Sequence, residues 1–186
     1  MRRMDETALI GSAQRGDLDA FNDLVDCHQD QLFALVARMV PDRDQAHDVV
    51  QEAFFSAYRH LASFRGGSVR GWLTRIAVNA ALACVRAREP ASYLEDDGIQ
   101  VESPRDWSVD IEGDLERGEI RRHIEDGLHG LVPDMRAAVI LHDVEGFTAG
   151  EAALILNISQ SALKSRLHRG RLLLRRHLAV LLKSEL

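Results

Sequence analysis

The 186-residue sequence predicts an all-α protein: two small helical domains joined by an acidic flexible linker, with a helix-turn-helix in the C-terminal one. Apolar residues recur at steps of three and four through both halves, and no stretch shows convincing strand alternation. Charge is segregated as well. Residues 90–115 carry 1 basic and 8 acidic side chains, net −7, against 11 and 12 in residues 1–89 and 11 and 9 in residues 116–186. The middle stretch, PASYLEDDGIQVESPRDWSVDIEGD, holds two of the four prolines and no sustained period, which marks a linker. A chain of this length suits one large domain or two small ones. The linker decides for two: residues 1–89, a linker over 90–113, and residues 114–186. Fully extended, it spans roughly 80 Å, so the halves need not touch.

In the first half, a short helix is expected near Asp5 to Gln14. A long amphipathic helix follows from about Asp17 to Val40, with Phe21, Leu24, Val25, His28, Leu32, Leu35, Val36 and Met39 on its inner face. Pro41 stops it. The next helix, about Arg43 to Ala62, puts Val50, Phe54, Tyr58 and Leu61 on one stripe. SFRGGSVRG then interrupts the pattern with three glycines. A third long helix, ending near Pro90, turns Trp72, Leu73, Ile76, Ala77, Ala80 and Val85 inward. Together they make a small bundle.

In the second half, residues 114–130 form one helix and Pro133 suits the first turn of another, about 133–144. Thr148 can cap a short helix to Leu156, and Ser159 can cap the helix that follows the turn NIS. Leu163, Leu167, Leu174 and Leu178 form the seam of that last helix. Ser161, Lys164, Ser165, His168, Arg169 and Arg171 fall on its flanks and outer face. From Ala152 to Ser184 there are seven basic side chains and no acidic one. Two helices across a tight turn, the second basic, describe a helix-turn-helix whose later helix enters the DNA major groove. A basic amphipathic helix also suits a calmodulin-like partner, a membrane surface or simple solvation.

Other function classes find little support. There is no Gly-rich phosphate loop, paired-carboxylate site or nucleophile triad, so no enzyme activity and no cofactor are expected. Cys27 and Cys84 lie far apart without metal-ligand spacing, which argues for two small buried thiols and no metal site. No apolar run approaches membrane-spanning length, so no membrane insertion is expected and the location read from the sequence is cytoplasmic.

VVQEAFFSAYRHLASFRGGSVRGWLTRIAVN and LVPDMRAAVILHDVEGFTAGEAALILNISQSALKSRLHRGR, in this order around an acidic linker, resemble the bacterial extracytoplasmic-function (ECF) sigma factors of the sigma-70 family. The resemblance covers nearly the whole chain. It implies an alternative sigma factor that binds core RNA polymerase. Its first domain would serve the minus-ten element, melted to single strands, and its second the duplex minus-35 element. An anti-sigma factor is a further partner implied by family habit.

The resemblance also implies site residues. Asp48, Gln51, Glu52 and Phe55 match the surface that grips the polymerase, and an exposed aromatic between acids suits a protein partner. Arg65, Gly66, Gly67, Ser68 and Arg70 belong to the promoter-opening loop, with Asn79 one helix later facing the same strand. Glycines let backbone approach nucleic acid, and arginines neutralise phosphates. Trp72 and Phe64 are read as core residues. Lys164, Ser165 and Arg169 match family positions on the minus-35 helix, with Arg166 and Arg171 as nearby candidates, and Ser161 and His168 join the minus-35 set by their place on its flanks and outer face. Lys and Arg can read guanine edges, with Arg166 and Arg171 mostly positioning.

Three positions depart from the family pattern: Gly150, which loosens the start of the short helix, Asn157 in place of a turn glycine, and Ala83 in place of a frequent Asp. The linker acids are expected to shield the basic helix or repel phosphate in the free protein. Two rivals stay open at this point, a dimeric helix-turn-helix regulator acting without core polymerase and a pure interaction protein.

Overall fold

The computed structural model describes residues 6–87 and 114–184; the linker and the first five residues lie outside that range. Among the described residues there are eight α-helices and no strand. The first domain contains α1 (Glu6–Gln14), α2 (Leu18–Met39), α3 (Arg43–His60) and α4 (Val69–Arg86), with a 3-10 turn at Leu61–Ser63. The second contains α5 (Asp114–Gly130), α6 (Pro133–Val139) continuing into a π-helical turn at Ile140–Val144, α7 (Ala149–Leu156) and α8 (Gln160–Ser184). No helix among the described residues is long and apolar enough to cross a membrane.

Local chemistry sets the boundaries. Asp17, Asp42 and Ser68 cap α2, α3 and α4 by accepting from backbone N–H groups of their first turns. Thr148 and Glu151 form a reciprocal capping box at α7, which holds the turn that Gly150 was expected to loosen. Asn157 takes the left-handed conformation, φ 53°, that ends α7. Ser159 Oγ accepts from Ala162 N at 3.1 Å and starts α8.

The inner face of α2 is buried from Phe21 to Met39 as its period predicts, except that Val25 is half-buried. Cys27, away from that face, is exposed and Cys84 half-buried, so neither thiol is buried as expected. On α3 the expected stripe is displaced. Its buried residues are Ala46, Val49, Val50, Ala53 and Ala57, while Phe54 is half-buried and Tyr58 exposed. Alanines let α3 sit close to α2 and α4, and the aromatic rings are pushed to the flank. Tyr58 packs edge-on against Phe21 there, with 5.0 Å between centroids.

In α8 the buried positions are Leu163, Leu167, Gly170 and Leu173, with Leu174 and Leu178 half-buried. A Cβ at Gly170 would stand 2.9 Å from Val139 Cγ2, so the glycine lets α8 close on α6. Gly170→Leu is expected to lose about 1–3 kcal/mol from overpacking, although Leu favours helix over Gly. Urea denaturation of Gly170→Leu with and without Val139→Ala checks this, because the second change should recover part of the loss.

The two domains meet, although the linker length did not require it. Helix α2 packs on α5 and α6, and α4 packs on α6 and α7. At the centre of this seam lies Arg136, 2 % exposed. Its guanidinium donates to the carbonyls of Leu128 at 2.8 Å and His129, in the last turn of α5, to that of Leu131 just past it at 2.9 Å, and to Met39 O at the end of α2. One buried cation thus satisfies the orphan carbonyls of two helix termini.

Two histidines near the seam are held neutral. Burial pushes His28 below its ordinary pKa, with Glu6 opposing and Arg70 adding to the shift. Burial likewise lowers His129, helped by Arg136 and opposed by the Ala37 carbonyl, Asp126 and Glu125. In the unfolded chain both titrate near about 6.5. Their stabilising contribution is therefore complete above that pH and is lost as pH falls through the depressed folded values. The urea midpoint should be flat from about pH 8 to 7 and drop below about 6.5, with a smaller drop in His129→Gln; a midpoint unchanged down to pH 5 contradicts it.

Candidate nucleic-acid interface

Residues 64–68 form a loop between the 3-10 turn and α4, held at its base. Gln14 Nε2 donates to both Leu61 O and Phe64 O at 3.0 Å, tying the loop to α1. Phe64 and Trp72 are half-buried with ring centroids 5.2 Å apart, which supports their reading as core residues. Gly66 and Gly67 have φ of +107° and +96°, the region where side chains are strained. Arg65 is exposed and folds back to Ala62 O at 2.9 Å. Ser68 Oγ is engaged in the α4 cap at Gly71 N, so its hydroxyl has a local role as well.

Beyond the loop, Asn79 is exposed on α4 and shares its outward face with Arg75 and Arg86. The sequence reading passed over Arg75, but its spacing of four from Asn79 was the available signal.

On α8, Ser161, Lys164, Ser165 and Arg169 are exposed together. Arg169 Nη2 reaches Ser165 Oγ at 3.3 Å, and Ser161 Oγ lies 2.9 Å from Ser159 Oγ. His168 is half-buried. Arg166 is turned toward α6, 3.4 Å from Asp134, which also pairs with Arg86 of α4 at 2.5 Å. Arg171 makes two hydrogen bonds to Asp143, at 2.9 and 2.5 Å, and this pairing raises its already high pKa. The exposed polar edge of α8 is thus narrower than the set of basic residues in the sequence. Acids of the folded domain, Asp134 and Asp143, neutralise its flanks; the linker acids proposed for that task lie outside the described residues.

The third surface lies on α3. Asp48, Gln51, Glu52 and Phe55 are exposed on one side, and Phe55 shows 56 % of its surface. Glu52 pairs with Arg59 at 2.6 Å. Beside them runs a groove between α2 and α3, lined by Leu18, Phe21, Val25, Val50, Phe54 and Tyr58 among others. Leu18 and Tyr58, both exposed, extend this apolar surface beyond what the helical period of α3 alone disclosed. Among the described residues no cluster of His, Cys, Asp or Glu could hold a metal ion.

Comparison with known proteins places these surfaces in context. The family model for sigma-70 region 2 matches residues 24–90, and that for sigma-70 region 4 matches residues 121–174. The ECF RNA polymerase sigma-E factor of Haemophilus influenzae is 34 % identical over 178 residues, covering 91 % of this chain and 93 % of that one. The sigma-E factor of Escherichia coli is 35 % identical over 91 % of this chain and 92 % of its own. Among solved structures, CnrH in complex with the cytosolic domain of CnrY superposes with a TM-score of 0.67 at 26 % identity, covering 93 % of this chain and 96 % of that one. The sigma factor RpoE in complex with the anti-sigma factor NepR, from Bartonella quintana, gives 0.63 at 27 % identity, over 86 % and 97 %.

Proposed function

Because this chain belongs to the extracytoplasmic-function sigma factors of the sigma-70 family, we infer that it programs core RNA polymerase to start transcription at a specific class of promoters. It is an alternative sigma factor whose partners are core polymerase, promoter DNA and an anti-sigma factor. Sigma factors are non-enzymatic, so bond formation is left to the polymerase. The setting that follows is the cytoplasm, where polymerase acts.

The observation that carries this reading is the pairing, in one chain, of two different nucleic-acid surfaces on separate helical domains. The loop from Arg65 to Ser68, with Arg70 and Asn79 of α4, suits single-stranded minus-ten DNA. Its positive-φ glycines bring backbone close, its arginines meet phosphates, and the Asn amide can donate to and accept from a base edge. Arg75 joins this set by its place on the same face. The exposed edge of α8, Ser161, Lys164, Ser165 and Arg169, suits the duplex minus-35 element. His168, Arg166 and Arg171 flank it as positioning residues. Asp48, Gln51, Glu52 and Phe55, with the apolar groove beside them, suit a polymerase helix. The domains divide as residues 1–89 and 114–186 around the linker at 90–113.

Transcription of fragmented genomic DNA by purified core polymerase, with and without this chain, tests the reading when RNA 5′ ends are mapped. The chain should create starts downstream of a shared two-block motif. A regulator that works without polymerase contact would create none in the absence of another sigma factor, and that result would overturn the reading.

A further inference from the structure

Glu145, in the turn between α6 and α7, points into the first domain, and its side chain is only 8 % exposed. Three side chains of that domain converge on its carboxylate. Arg70 Nη2 of α4 donates to Oε2 at 3.1 Å, Gln31 Nε2 of α2 donates to the same oxygen at 3.3 Å, and Arg38 Nη1 of α2 stands 3.5 Å from Oε1. Arg70 also donates to Glu145 O at 2.8 Å and lies over the Phe147 ring, 4.6 Å from its centroid. Two guanidiniums and an amide donor around one anionic group make a site for an oxyanion, and planar guanidinium recognises carboxylate and phosphate alike. Arg70 Nε remains buried without a hydrogen-bond partner, so the carboxylate leaves one donor of the site unused.

We propose that Arg38, Arg70 and Gln31 form a phosphate-binding site of the first domain, which Glu145 fills while the domains are closed and a backbone phosphate of single-stranded DNA takes when they part. This rests on the sigma-factor reading only for the source of that phosphate, the melted promoter strand. It adds Arg38 and Gln31 of α2 to the DNA-binding surface. It also makes closure self-masking, because Glu145 and DNA compete for the same guanidiniums. Separation of the domains exposes the site, and Asp134 gives up Arg86 in the same movement.

The probe is a fluorescein-labelled oligothymidine, whose phosphates are presented without sequence, titrated with the free full-length chain by fluorescence anisotropy. Glu145→Gln should bind it roughly 5- to 20-fold more tightly than the parent, with a salt dependence steeper by about 0.7 in log–log slope for each phosphate gained. Glu125→Gln, which removes the same charge from an exposed position on α5, controls for net charge and should change binding little. Adding Arg38→Ala to Glu145→Gln should abolish the gain. The proposal is overturned if Glu145→Gln binds no tighter than Glu125→Gln, or if the gain survives the loss of Arg38. Should Glu145→Gln fold poorly, Arg38→Ala in the polymerase complex decides: promoter opening slowed about 5- to 10-fold with minus-35 binding intact supports the site, and unchanged opening overturns it. None of these readouts depends on where transcripts start, so failure here leaves the mapping result standing, and the reverse.

Discussion

Arg136→Leu is expected to lower the unfolding free energy by roughly 3–5 kcal/mol, a large share of the stability of a small domain. Leucine is apolar but much shorter, so the loss combines the space left unfilled around this buried side chain with the acceptors it abandons. The carbonyls of Leu128 and His129 end α5, that of Leu131 lies just past it, and Met39 O ends α2; all accept from this guanidinium inside the protein. Buried acceptors stripped of their donor keep the full desolvation cost. Arg136→Lys should fall between, because one ammonium reaches fewer of these carbonyls than a planar fork does. Urea denaturation followed by circular dichroism measures both. A change within about 0.5 kcal/mol for Arg136→Leu, the range of an ordinary surface substitution, would show that the carbonyls find other donors.

The second large effect concerns reading of DNA. Lys164→Ala should reduce initiation from promoters carrying the minus-35 element by about 5- to 150-fold, the equivalent of roughly 1–3 kcal/mol for a lost base-edge contact. Discrimination at one or two base pairs should relax at the same time. Arg171→Ala should behave differently. Its guanidinium is already held by Asp143, so its loss should weaken binding to all sequences slightly and flatten the salt dependence. Competition between wild-type and mutated minus-35 templates in one transcription reaction separates the two patterns. Equal losses on every template for Lys164→Ala would move that residue from reading bases to holding phosphates.

Much of this was legible in the residues. Periodicity located the helices among the described residues to within a few positions, helped at five of them by a recognisable cap, Asp17, Asp42, Ser68, Thr148 or Ser159, and at α6 by Pro133 in the first turn. What pattern alone missed has definite causes. On α3 two apolar faces compete, one of alanines and one of aromatics; counting hydrophobic residues favours the aromatics, whereas close helix packing selects Ala46, Ala53 and Ala57. The contact between domains joins polar residues far apart in the chain, such as Arg70 and Glu145, and no local period reports it. Arg136 did leave a trace. It is the one charge in the run MRAAVIL, and a lone cation inside a buried helix asks for acceptors.

The narrowing of the α8 face has the same origin. Lys164 and Arg171 look alike in a helical projection, and only the position of Asp143 at the π-helical turn tells them apart. Asp134 of α6 and Asp143 of the π-helical turn thus hold Arg166 and Arg171 of α8, which under the proposed reading leaves Lys164 to meet DNA.

The central claim is that two tethered modules select a promoter only when polymerase holds them at one separation and one rotational setting. Inserting about 5 bp, half a helical turn, between the minus-35 and minus-ten elements of a promoter found by the mapping experiment tests this most directly. The account predicts that initiation by the reconstituted holoenzyme collapses and returns when the original spacing is restored. Initiation that persists at full strength with the inserted half-turn would contradict it.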